Sequence, residues 1–173
     1  MSHAASVSFR SSACKWATER RREVVMARVV FCELPSGSHW PGVAQLVSRV
    51  VEQGNLTVIV ETPADARQLS QALWGLPPSV LVPHGIEGMD ADDDVDPVVI
   101  SVGASGSCRP LVVHAAPTQS SLATGDLVVE AVPQDPRLRE VSRARFKSYR
   151  AQGKSPEFLS WDTWTKGALL RKS

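Results

Sequence analysis

The sequence predicts a single α/β domain of Rossmann-like type, a mostly parallel sheet with helices on both faces. Short β-branched apolar runs recur along the chain, and stretches with helical apolar spacing separate several of them. Helix start and stop residues stand at those boundaries. Strand–helix–strand units in the first half require right-handed crossovers, which make neighbouring strands parallel. A length of 173 residues fits one domain with a core of its own.

Residues 29–34 (Val-Val-Phe-Cys-Glu-Leu) read as a buried strand, followed by the turn Pro35-Ser36-Gly37-Ser38. Val43, Leu46, Val47, Val50 and Val51 then form the inward stripe of an amphipathic helix stopped by Gly54. Residues 56–61 are a second β-branched run. The next helix starts with Thr62 as cap, Pro63 at the first helical position and Asp65 at the positive end of the dipole. Ala66, Leu69, Ala72 and Leu73 face inward on it, and Trp74-Gly75 ends it. Strand-type runs follow at 80–82, Val98–Val102, 111–113 and Leu127–Val132. Asp135-Pro136 opens a last helix that extends to about Gln152 and stops at Gly153. The domain spans 26–166. Residues 1–25, rich in Ser and Arg without a sustained apolar period, are expected to be a disordered or miscalled leader, and 167–173 a tail.

Nineteen Lys and Arg stand against eighteen Asp and Glu, a net charge of +1 that argues against a strongly basic nucleic-acid binder. The total hides an asymmetry. Residues 1–26 carry +3, residues 27–136 carry −9, and residues 137–173 carry +7. No apolar stretch reaches the roughly 20 residues of a membrane span. Cys14, Cys32 and Cys108 are odd in number and far apart, without a CxxC pair, which fits a reducing cytoplasm better than a disulfide framework or a zinc site.

Catalytic and cofactor signals are weak. The loop after the first strand lacks both G-x-G-x-x-G and a terminal GK[ST], so nothing is set out to cradle phosphates. Residues 101–107 resemble a nucleophile elbow, but the second glycine falls one position early, and a flexible loop explains them better. The aspartates at 90–96 lack the outlying ligand of a calcium loop and read as a solvated acidic loop. His39, His84 and His114 lie in separate elements; His84 could act in catalysis by its position, but a hydrogen-bonded structural role fits it better. Neither a cofactor nor a metal is expected.

The last helix is the informative one. At about 100° per residue, Leu138, Val141, Ser148, Tyr149 and Gln152 share the expected core face, with Arg145 inside it needing a partner or an escape to solvent. Phe146, Arg139, Arg150, Arg143 and Lys147 fall consecutively on a separate arc, four cations around an aromatic expected to be exposed. A solvated basic face gains nothing from a phenyl ring. The arc suits a ligand with both negative charge and an apolar group. An acidic peptide ending in an aromatic residue and a free carboxylate qualifies, as does single-stranded nucleic acid.

Two strings resemble a known family. Ala72-Leu-Trp74-Gly-Leu-Pro77-Pro-Ser79-Val-Leu-Val82-Pro83-His84 and Arg143-Ala-Arg145-Phe146-Lys147-Ser-Tyr149-Arg150-Ala-Gln-Gly153 are similar to motifs of the chi subunits of bacterial DNA polymerase III. The resemblance covers residue 26 to about Trp164. It implies a non-catalytic accessory subunit that links the clamp loader to the acidic C-terminal tail of single-stranded-DNA-binding protein. By that resemblance Arg139, Arg143 and Lys147 are the pocket cations, joined at the arc by Arg150. Phe146 stands where tyrosine is common, and Val132 and Gly153 line the apolar part. The family's psi-binding interface corresponds to Trp74, Leu81, Pro83 and His84, with leucine at Leu81 where better-known members carry phenylalanine. Psi or a replacement partner is expected there. The arc alone also leaves open direct single-stranded nucleic-acid binding and, less favoured, a small α/β enzyme using His84 or residues 103–107. Trp161 and Trp164 are expected to pack the C-terminal segment onto the domain.

Overall fold

The computed structural model describes residues 27–103, 109–119 and 121–167. The expected leader, Cys14, Cys108, residues 104–107 of the glycine–serine loop and residues 168–173 lie outside this set.

Seven strands form one sheet in the order β3-β4-β2-β5-β6-β1-β7. They are β1 (Arg28–Glu33), β2 (Leu56–Val60), β3 (His84–Ile86), β4 (Val98–Val102), β5 (Leu111–His114), β6 (Leu127–Val132) and β7 (Glu157–Leu159). Every pairing is parallel. The helices are α1 (His39–Val50), α2 (Pro63–Trp74), α3 (Pro136–Ala151) and the short α4 (Trp161–Thr165). Side chains alternate between the two faces of a strand, and here both faces are covered, so the strands are apolar nearly throughout. Val30, Cys32, Val58, Val113 and Val129 pack under α1 and α2, together with Trp164 of α4. Val29, Phe31, Ile59, Val112, Val128 and Val132 face the other way, toward Tyr149 and Phe146 of α3. The connections run one way along the sheet from β1 to β2 and the opposite way from β6 to β7. Right-handed crossovers then demand opposite faces, as observed.

Local signals explain the helices. Thr62 Oγ1 accepts from the Asp65 amide at 3.1 Å and Asp65 Oδ2 accepts from the Thr62 amide at 3.0 Å, a reciprocal cap on α2. Asp135 accepts from the Arg137 and Leu138 amides at 2.8 and 3.3 Å, and Pro136 opens α3 without losing a needed donor. α1 begins four residues before the first member of its apolar stripe, and Val43, Leu46, Val47 and Val50 are buried.

Two elements differ from the sequence reading. The run at 80–82 is not a strand: Pro78–Val80 forms a 3-10 turn, and the strand falls on His84–Ile86. Pro77, Pro78 and Pro83 flank 80–82 without ladder donors, whereas His84, Gly85 and Ile86 all retain theirs. Gly85 is required there, because a Cβ would stand 2.4 Å from Ala91 Cα, where the following loop folds back over β3. β7 and α4 were not expected as elements. Trp164 does pack the C-terminal segment onto the domain, buried with its indole N–H donating to the Glu33 carbonyl at 2.8 Å.

Candidate functional site

The face that α3 turns inward is Leu138, Ser142, Arg145 and Tyr149, with Phe146 at its border. Ser148 and Gln152, expected in the core, are exposed. The physical reason is Glu130, a lone carboxylate in the otherwise apolar β6. It is fully buried, and α3 is rotated to bring Arg145 to it. Arg145 Nε lies 3.0 Å from Glu130 Oε2, and its Nη1 donates to the carbonyls of Ala116 and Gln119 at 3.0 and 2.8 Å. Tyr149 donates to Glu130 Oε1 at 2.9 Å and accepts from the Ala123 amide at 3.0 Å. His114 Nδ1 completes the set 3.0 Å from Glu130 Oε2. Burial, then the neighbouring Glu130 charge, pushes the Tyr149 hydroxyl well above the ordinary tyrosine range. These groups fix the position of α3 over β1 and β6.

Beside this network a cavity of about 380 Å³ opens between α3 and the β1–β7 edge. Phe31, Val132, Phe146 and Phe158 form its apolar lining, and Glu33, Arg139, Ser142 and Arg143 its polar part. Phe146 is half-buried rather than exposed, because it packs edge-on against Phe31 with ring centroids 5.1 Å apart. Arg139 pairs with Glu33, and its Nε donates to the Pro133 carbonyl at 3.2 Å. Among the described residues Arg143 pairs with Glu140 on the surface, where both side chains are about two-thirds exposed. Such a pair is weak, so Arg143 can exchange Glu140 for another carboxylate.

Of the residues expected at the tail-binding site, Arg139, Arg143 and Phe146 of the arc meet Val132 of β6 at this cavity. Lys147 and Arg150 are exposed further along α3, outside the lining. Gly153 is also outside it. At φ +77° it is the left-handed residue that ends α3, so its conformation accounts for it without a ligand. Glu33, Phe31, Ser142 and Phe158 were missed. They come from β1, the buried face of α3 and an edge strand, with no local pattern to join them.

The other set gathers at the opposite end of the sheet. Trp74 closes α2 and is 61% exposed; Val80, Leu81 and Pro83 are exposed beside it. His84 is buried beneath them, its ring centroid 5.0 Å from that of Trp74. His84 Nδ1 donates to the Val82 carbonyl at 2.8 Å and Nε2 accepts from Ser70 at 2.9 Å. Both ring nitrogens are thus committed to holding the loop and seating the indole.

Several of the remaining sequence candidates among the described residues have structural partners. Ser101 is buried in β4 and donates to Glu87. In the 90–96 loop, Asp90, Asp92 and Asp96 accept from the amides of Ile86, Asp94 and Asp92. Arg109 ties that loop to the sheet through the carbonyls of Leu56, Asp93, Asp96 and Pro97. The Cys32 thiol is buried in β1, which raises its pKa and keeps it unreactive. No helix among the described residues is long and apolar enough to cross a membrane.

Solved structures of similar shape include the C-terminal domain of the DEAD-box protein Dbp5, at TM-score 0.56 and 14% identity, covering 83% of this chain and 95% of that one. The T4 UvsW structure aligns at TM-score 0.52 and 9% identity, over 79% of this chain and 42% of that one. At such identities the likeness shows a Rossmann-like α/β fold and nothing more. In sequence, the chain is 29% identical over 107 residues to DNA polymerase III subunit chi of Escherichia coli (strain K12), covering 60% of this chain and 72% of the relative. The family model described as "DNA polymerase III chi subunit, HolC" matches residues 26–157, about three-quarters of the sequence and nearly all of the sheet, and the chain therefore belongs to the DNA polymerase III chi subunit family.

Proposed function

We propose that this chain is a non-catalytic, cytoplasmic accessory subunit of DNA polymerase III that docks the acidic C-terminal tail of single-stranded-DNA-binding protein in the α3–β1 cavity. One observation carries the reading: an apolar cavity floored by Phe31 and Val132 lies directly beside Arg139 and Arg143. A peptide ending in an aromatic residue offers a ring for the floor and a terminal carboxylate for a guanidinium, which can hold it bidentately. Upstream aspartates of the tail would then lie along Lys147 and Arg150, which continue the basic arc on the same helix. The −9 charge of residues 27–136 repels a long polyanion but leaves a short tail free to reach a local basic rim.

At the far edge of the sheet, Trp74 at the end of α2 and Val80 and Leu81 between α2 and β3 are exposed apolar residues. In this reading that edge takes the psi subunit of the clamp loader or a partner in its place, so that the two interfaces stand at opposite ends of one rigid sheet. The deciding experiment is a fluorescence-anisotropy titration of the chain with a labelled acidic, phenylalanine-terminated peptide, alongside a bare oligonucleotide. Peptide affinity that falls with salt and with Arg143→Ala supports tail docking. Affinity for the oligonucleotide alone, with a steep dependence on log salt, replaces it with direct nucleic-acid binding.

A further inference from the structure

Phe158 of β7 lies just beyond the family match, which ends at residue 157, yet it forms part of the cavity lining. In the parallel β1–β7 pairing Phe158 stands opposite Phe31. Paired residues on adjacent strands point to the same face, so both rings project on the α3 side, with strands roughly 5 Å apart. Phe31 is buried under Phe146, whereas Phe158 is 55% exposed. A phenyl ring left half in water on a three-residue edge strand is not there to fill the core. Contacts on either side of Phe158 hold β7 in place. Trp164 of α4 bonds the Glu33 carbonyl, and Arg28 pairs with Glu157 at 3.1 Å. Phe146 and Phe158 therefore both line the cavity beside Phe31, with buried Val132 at its floor and Arg139 and Arg143 in its polar part.

We infer that Phe158 is a specificity-determining residue of this site: it forms the outer wall of a slot that accepts the aromatic side chain at the end of an acidic peptide. This rests on the tail-docking reading and adds to it the group that selects the terminal ring. An aliphatic or small terminal residue would keep its carboxylate on the guanidinium but leave Phe158 in water. A ring would cover Phe158 and meet Phe31 and Phe146 in offset or edge-on contact.

The test compares two peptides, Asp-Asp-Asp-Ala-Phe and Asp-Asp-Asp-Ala-Ala, both with free carboxylates, against the wild-type chain, Phe158→Ala, Phe158→Trp and Arg143→Ala. Wild type is expected to prefer the Phe-terminated peptide. Phe158→Ala is expected to lower affinity for that peptide about tenfold and leave the Ala-terminated one within about twofold. Phe158→Trp should retain the preference, and Arg143→Ala should weaken both peptides. Unchanged circular dichroism and thermal midpoint certify the fold of each variant. If Phe158→Ala keeps the wild-type preference, or weakens both peptides equally, the inference is overturned while tail docking stands. If wild type binds neither peptide, the tail-docking reading itself fails and takes this inference with it.

Discussion

Arg145 on α3 and Glu130 on β6 form an ion pair inside the protein, Nε to Oε2 at 3.0 Å, with the side chains 1% and 0% exposed. Removing one partner leaves an uncompensated buried charge, which costs far more than the pair itself contributes. Arg145→Met and Glu130→Leu are each expected to destabilise the fold by about 3–5 kcal/mol. The double variant should recover part of that loss, since neither charge is then stranded, while His114 and Tyr149 still lose the Glu130 acceptor. Urea unfolding of the single and double variants measures this. Additive losses would show that the two residues do not act as a pair.

Glu33 lies within the cavity and already occupies Arg139. An incoming carboxylate must compete with it or settle for Arg143, whose exposed partner Glu140 is easily exchanged. Glu33→Gln frees the Arg139 guanidinium and removes a negative charge from the site. It is expected to raise affinity for an acidic, aromatic-terminated peptide about three- to tenfold. Glu140→Gln on the surface should change it less than about twofold. An anisotropy titration in which Glu33→Gln binds no better than wild type would show that Arg139 takes no part.

Trp74 and His84 divide the labour at the other edge. The indole is mostly in solvent and the imidazole is buried with both nitrogens bonded. If this edge takes psi as proposed, Trp74→Ala should leave the thermal midpoint close to wild type while cutting affinity for psi at least tenfold. His84→Ala should lose both, because Ser70 and the Val82 carbonyl then lack their partner, at about 1–3 kcal/mol of stability. Calorimetric titration with psi and thermal melts separate the two effects. A Trp74→Ala chain that binds psi as well as wild type would move the partner elsewhere.

The caps, the apolar runs and the parallel order were legible because their causes are local. Thr62 with Pro63 and Asp65, or Asp135 with Pro136, announce a helix within one turn. The phase of α3 was not legible in the same way. Counting apolar residues placed Ser148 and Gln152 inward and left Arg145 as an anomaly, whereas Arg145 with its partner sets the rotation. The missing signal was Glu130, a single acid in the strand Leu127–Val132, which reads as a plain apolar run until it is asked what a charge does there. The cationic half of the cavity was visible as an arc on one helix. Phe31, Glu33 and Phe158 were not, because only strand pairing across more than 100 residues brings them to α3.

His39, the first residue of α1, couples stability to pH. Its Nε2 donates to the Ala115 carbonyl at 3.2 Å, and its Nδ1 is buried without a hydrogen-bond partner among the described residues. Protonation would add an N–H at Nδ1 where nothing described accepts it. Burial accordingly holds the imidazole below its ordinary pKa, opposed by the Ala115 bond and by the Asp65 charge. The unfolded chain binds a proton here near pH 6.5, while the folded chain resists it until lower pH. The contribution of His39 is then complete above about pH 6.5 and is lost as pH falls below it. His39→Gln keeps a donor for Ala115 and cannot titrate. The urea midpoint of wild type should fall more steeply than that of His39→Gln between about pH 7 and pH 5. Every other titrating group is common to both chains, so equal slopes would show that the imidazole is protonated as readily in the folded protein as in the unfolded one.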